Sequence, residues 1–113
     1  MKVFKISLLT ALTMWINSAS AQQSQATSHY RERIADFAAM RKIDSTDVVM
    51  LGNSLTELGG DWNRLLRWRR VRNRGISGDD ATGILHRLGQ ILPGKPKAIF
   101  LMVGINDLSH DLT

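Results

Sequence analysis

Apolar residues run unbroken from Val48 to Leu51 and again from Ala98 to Val103. Both runs are short and flanked by turn-forming residues, so both predict strands. The second is apolar throughout and is expected to be buried on both faces. Between them, Arg70 to Ile76 alternates charged and uncharged side chains, the pattern of a strand near a sheet edge. Helical spacing takes over elsewhere. Tyr30–Met40 sets Ile34, Phe37, Ala38 and Met40 on one stripe, with Arg31, Glu32, Arg33 and Asp36 off it. Ile84, Leu85, Leu88, Ile91 and Leu92 form a second stripe, and Pro93-Gly94 stops that helix. A short helix carrying Trp62, Leu65 and Leu66 follows the Gly59-Gly60 loop, capped by Asp61. Asp44 to Asp47 turns the chain into the first strand. The order helix, strand, short helix, strand, helix, strand predicts an α/β fold, its parallel strands joined by right-handed crossovers.

The beginning of the chain stands outside this pattern. Lys2 and Lys5 precede an apolar core from Ile6 to Ile16, and Ala19-Ser20-Ala21 is a small-x-small cleavage site. Residues 1–21 therefore read as a secretory signal peptide, and the protein as exported, either periplasmic or secreted. The apolar run is well short of the ~20 residues a membrane span needs, so no stable anchor is expected after cleavage. Residues 22–28 are rich in Gln, Ser and Thr without apolar periodicity, which predicts a disordered leader.

Composition narrows the chemistry further. The chain has no cysteine, which excludes disulfides, thiolate nucleophiles and cysteine-based metal sites. Six arginines crowd between Arg64 and Arg74, interleaved only with Trp62 and Trp68 nearby. Export argues against a nucleic-acid partner for that patch, leaving a solvated edge or contact with an anionic surface or substrate. Gly89 to Pro96 nearly spells a phosphate-binding loop, but Pro96 replaces the required Ser or Thr and the segment leaves a helix for a strand. Asp79, Asp80 and Asp107 are expected to form turns and caps rather than a metal site, so neither metal nor cofactor is assigned.

Candidate chemistry gathers at three turns, each at the carboxyl end of a predicted strand: Gly52-Asn53-Ser54, Ser77-Gly78-Asp79 and Gly104-Ile105-Asn106-Asp107. Open α/β sheets bind ligands outside the carboxyl ends of their strands, which makes Ser54 a candidate nucleophile. Attack by its hydroxyl on an ester carbonyl would create an oxyanion, and that needs donors fixed in advance. The backbone N–H groups of Ser54 and Gly78 and the side-chain amide of Asn106 are the candidates.

Met50-Leu51-Gly52-Asn53-Ser54-Leu55-Thr56-Glu57, Asn73-Arg74-Gly75-Ile76-Ser77-Gly78-Asp79 and Gly104-Ile105-Asn106-Asp107 resemble blocks I, II and III of the SGNH (GDSL-like) hydrolases in order and spacing. The likeness spans residues 44–110 and is greatest to the acetylesterase branch near sialate O-acetylesterases and platelet-activating-factor acetylhydrolases. It implies a flavodoxin-like three-layer αβα sandwich with spatial strand order 2-1-3. It also implies Ser54 as nucleophile, Gly78 and Asn106 as oxyanion-hole donors, and a small-molecule or glycan ester as substrate. Oligomeric state is left open.

The chain departs from that family in two places. Asn53 stands where Asp is usual, and a neutral amide can still hold the turn. The family's fourth block, an Asp-x-x-His supplying the base, has no counterpart here. Of the three histidines, His29 is assigned to the leader, His86 to the polar side of its helix, and His110 precedes Asp111 in the wrong order. All three are expected to face solvent, and Glu57 to be a loop or helix-start residue. The expectation is therefore that residues 29–113 form the N-terminal part of a longer hydrolase domain, truncated after the third strand and inactive alone. Two rivals stand beside the esterase: a glycan-binding remnant that keeps the pocket without the base, and an inert fragment.

Overall fold

The computed structural model describes residues 27–111. Its elements, in chain order, are α1 (Ser28–Ala39), β1 (Val48–Gly52), α2 (Ser54–Leu58), α3 (Trp62–Leu66), β2 (Val71–Gly75), α4 (Ala81–Arg87), two 3-10 turns (Leu88–Gln90 and Leu92–Gly94), β3 (Ala98–Met102) and α5 (Ile105–Asp111). The fold is α/β. A three-stranded parallel sheet in the order β2-β1-β3 is flanked by helices, and the 2-1-3 order expected from the resemblance is observed.

Register explains how the sheet divides its neighbours. Cross-strand partners point to the same side, so Leu51 shares a face with Arg74 and Leu101, while Met50 shares the other with Asn73 and Phe100. On the first face Val49 and Leu51 pack with Ile43, Ile84 and Ile91, and Arg74 reaches the Phe37 ring. Each of those apolar side chains contributes about 1.5–3 kcal/mol by leaving water. On the second face Asn73 Nδ2 donates to the carbonyls of Thr56, Glu57 and Gly60 at 3.0–3.2 Å. Helices α1 and α4 therefore cover one side of the sheet, and α2 and α3 the other. Tyr30 fastens α1 to α4 through its hydroxyl, which donates to Gly83 O at 2.7 Å.

Local chemistry places the helix ends much as the residue types dictate. Asn53, Asp61 and Asp80 cap α2, α3 and α4, accepting from the N–H groups of Leu55, Arg64 and Gly83. In the turn before β1, Asp44 Oδ1 accepts from both the backbone and the hydroxyl of Thr46.

Four expectations need correction. The first concerns β3, which is not buried on both faces: Ile99, Phe100, Leu101 and Met102 are all exposed, because β3 is an edge strand that no described element covers. The helix expected through Leu92 ends at Arg87 and continues as 3-10 turns, which leaves Leu85 and Leu92 in solvent. A third change falls at the leader, whose last residues are ordered. Thr27 caps α1, its hydroxyl accepting from Tyr30 N, and Ser28 opens the helix. Lastly, Met40 and Ala38 are exposed, and Tyr30, Phe37 and half-buried Ile34 form the buried side of α1 instead. The signal-peptide assignment lies outside the described residues.

Candidate active site

The equal register of the sheet builds the site. Gly52 lies opposite Gly75 and Met102, so all three strands end at one level and release their turns side by side. Parallel neighbours are about 4.8 Å apart, which sets the spacing of the three turns. Ile76 N donates to Gly52 O at 2.9 Å, so the second turn starts against the first.

Ser54 is the first residue of α2, half-buried, and among the described residues its hydroxyl makes no hydrogen bond. Asn53 is 1% exposed and holds the corner through Oδ1, which accepts from Leu55 N at 3.2 Å. The Ser54 N–H takes no acceptor among the described residues, and neither does that of exposed Gly78. Gly78 has φ of +82°, and a Cβ there would meet no atom within 4 Å. Its glycine is required by backbone conformation, not by crowding.

Asn106 is brought to this turn directly. Its Nδ2 donates to Asp79 O at 2.7 Å, which fixes the plane of the amide and leaves the second Nδ2 hydrogen to serve elsewhere. Asp107 reinforces the contact, its two carboxylate oxygens accepting from Ala81 N at 3.1 and 3.2 Å. Among the described residues no cluster of His, Asp and Glu is arranged to hold a metal. Asp80 caps α4, as expected, whereas Asp107 bridges to Ala81 N and Asp79 pairs with an arginine.

That arginine is Arg87. It is 2% exposed and extends along the floor of the site. Nε and Nη2 engage Asp79 Oδ2 at 2.8 and 2.7 Å, Nη1 donates to Arg74 O at 2.7 Å, and Nη2 donates to Gly52 O at 3.0 Å. One guanidinium therefore ties the ends of β1 and β2 to the turn that carries Gly78. Burial pushes its pKa down, and Asp79 opposes that. Arg87 lies off the apolar stripe of its helix, and the crossover geometry turns it inward.

Glu57 falls in the first turn of α2, as expected, and His29 is exposed as expected but does not belong to a leader. His29 lies in α1, and its Nε2 sits 2.8 and 3.0 Å from the two oxygens of Glu57. Glu57 accepts further from Ser77 N at 2.7 Å and from the Ser77 hydroxyl, and pairs with Arg33 Nε at 3.0 Å. Burial raises the Glu57 pKa, but the Ser77 and His29 hydrogen bonds outweigh it and hold the carboxyl below its usual value. A carboxylate so saturated with donors is a tether between α1, α2 and the second turn, and a poor base. His86 is exposed as expected, and the His110 side chain lies outside the described residues.

No family model matches this chain, and no curated protein matches it either.

Proposed function

We propose that this chain carries the nucleophile and the oxyanion-binding half of a serine ester hydrolase of the SGNH (GDSL-like) type. The observation that carries this reading is the convergence at one end of the sheet of groups without partners among the described residues, the Ser54 hydroxyl and the Ser54 and Gly78 N–H groups, beside an Asn106 amide oriented by Asp79 O. In the reaction, Ser54 Oγ bonds to the ester carbonyl carbon while its proton passes to a base. The carbonyl π electrons collect on oxygen, where the three donors stabilise them. Collapse expels the alcohol, and water releases the acyl group from Ser54 by the same route. The substrate is an acetylated carbohydrate or lipid met outside the cytoplasm, the compartment that the N-terminal segment favours.

Among the described residues no histidine bonds to Ser54 Oγ, which favours one second reading: a glycan-binding protein with the pocket but without turnover. A single experiment separates the two. The chain is incubated with a fluorophosphonate, and separately with p-nitrophenyl acetate plus imidazole as an external base. Peptide mapping should find the adduct on Ser54, with Ser54→Ala abolishing it and Asn106→Ala slowing acylation by about 10²–10³. Acylation that is undiminished in Ser54→Ala would overturn the hydrolase reading. Glycan binding with no adduct would favour the second.

A further inference from the structure

Arg74 is 3% exposed, yet no carboxylate lies within ion-pair distance of it among the described residues. The neighbouring arginines all have acids. Arg33 pairs with Glu57, Arg87 with Asp79, and Arg41, Arg70 and Arg72 with Asp44 or Asp47. Arg74 instead stacks over Phe37 at 4.6 Å, and its Nη1 reaches only Met40 Sδ at 3.7 Å and Asn73 O at 3.4 Å. Burial, joined by the charges of Arg72 and Arg33, lowers its pKa to about 10, so it remains a cation at neutral pH. A buried guanidinium without a counter-anion is costly to keep.

Its remaining nitrogens are not sealed in. Arg70 Nε is the single buried side-chain polar atom without a hydrogen bond among the described residues, and it lies in an ion pair with Asp47 at 3.3 Å. Arg74 Nε and Nη2, which form no hydrogen bond among those residues, therefore open onto solvent. Arg74 lines a cavity of about 530 Å³ between the end of α1 and the 3-10 turns. Phe37, Met40, Ile43 and Pro93 give it apolar walls, exposed Lys42 adds a second cation, and no acidic residue lines it. Its volume lies in the range of small-molecule sites.

We propose that this cavity binds a small carboxylate carried on an apolar body, its carboxylate taken by the free edge of the Arg74 guanidinium and by Lys42. A planar fork suits two carboxylate oxygens, and the walls suit an aliphatic chain. None of Ser54, Gly78 and Asn106 lines the cavity, so the site stands whether or not the chain is a hydrolase.

Hexanoate is the probe, titrated into the full chain by calorimetry, with hexanamide as its neutral counterpart and inorganic phosphate as an anion without a body. Saturable hexanoate binding is expected, with hexanamide weaker by about tenfold or more. Arg74→Lys, which keeps charge but loses the fork, should weaken hexanoate by about tenfold. Lys42→Glu, at an exposed position, tests the site without disturbing the buried cation and should weaken hexanoate while leaving the circular dichroism spectrum unchanged. Ser54→Ala should bind hexanoate as the parent does. Equal binding of hexanoate and hexanamide, binding of phosphate alone, hexanoate binding undiminished in both Arg74→Lys and Lys42→Glu, or its loss in Ser54→Ala would each overturn the proposal.

Discussion

Gly75 and Gly78 lie three residues apart and are glycines for opposite reasons. A Cβ on Gly75 would collide with the backbone of Glu57 in α2, where nothing flexible can yield. At Gly78 there is room, but the left-handed φ penalises any L side chain. Gly78→Ala should therefore cost about 1–2 kcal/mol, and Gly75→Ala distinctly more, because α2 must shift off the sheet. Urea unfolding of the two variants checks that order. Arg87 is the other residue on which the site turns. Arg87→Met would remove the counter-cation of buried Asp79 and one donor from each of the Gly52 and Arg74 carbonyls, a loss of about 3–5 kcal/mol. Asp79→Asn together with Arg87→Met should cost less than the two separate losses added, since Asp79→Asn removes the buried charge whose counter-cation Arg87→Met takes away.

Among the elements, β3 carries the largest mismatch between composition and surroundings. Four successive apolar residues face water on a strand whose outer edge is unpaired among the described residues. Such an edge binds hydrophobic dyes and self-associates. Light scattering by the chain should rise with concentration, and Phe100→Lys or Leu101→Lys, one on each face, should reduce it without lowering the unfolding midpoint. Helix α1 is held differently, through Tyr30 and Phe37 on its buried side and through His29 and Arg33 on Glu57. Tyr30→Phe removes the hydrogen bond to Gly83 O that fastens α1 to α4, at a cost of about 0.5–1.5 kcal/mol. Amide exchange should show α1 and α4 loosening together in that variant.

For the molecule as a whole, the ion pairs give stability a direction in pH. The Glu57 carboxyl is held below its ordinary value, and that of Asp44 is lowered to about 2 by the two Thr46 hydrogen bonds with help from Arg41 and Arg70. A carboxylate with a depressed folded pKa contributes fully above its unfolded pKa and loses that contribution as pH falls through the folded one. The melting temperature should therefore hold from neutral pH to about 4.5 and decline below it. Glu57→Gln should flatten the upper part of that decline, and Asp44→Asn should flatten the part approaching pH 2. The arginine run contributes unevenly to the same balance. Arg64, Arg67 and Arg69 are solvated as expected, whereas Arg70 and Arg72 are bound internally to the Asp44 and Asp47 carboxylates and Arg74 is buried.

The α/β order, the three strands, the capping aspartates and the three turns with Ser54, Gly78 and Asn106 were all legible along the chain. Each depends on neighbours within a few residues: an apolar run, a cap three positions before its N–H, a glycine at a turn. The inward aim of Arg87, the His29–Glu57–Ser77 tether and the acid-free burial of Arg74 were not legible, because each joins segments 8 to 48 residues apart through the register of the sheet. Exposure of β3 belongs to the same class. An apolar strand looks alike in the middle of a sheet and at its edge, and only the order β2-β1-β3 decides which of its faces and edges meet a partner. Local chemistry along the chain determined which elements form and where they turn. The tertiary structure alone decided which charges meet and which are left without a partner, since side-chain pairing is set by how the crossovers stack helices on the sheet.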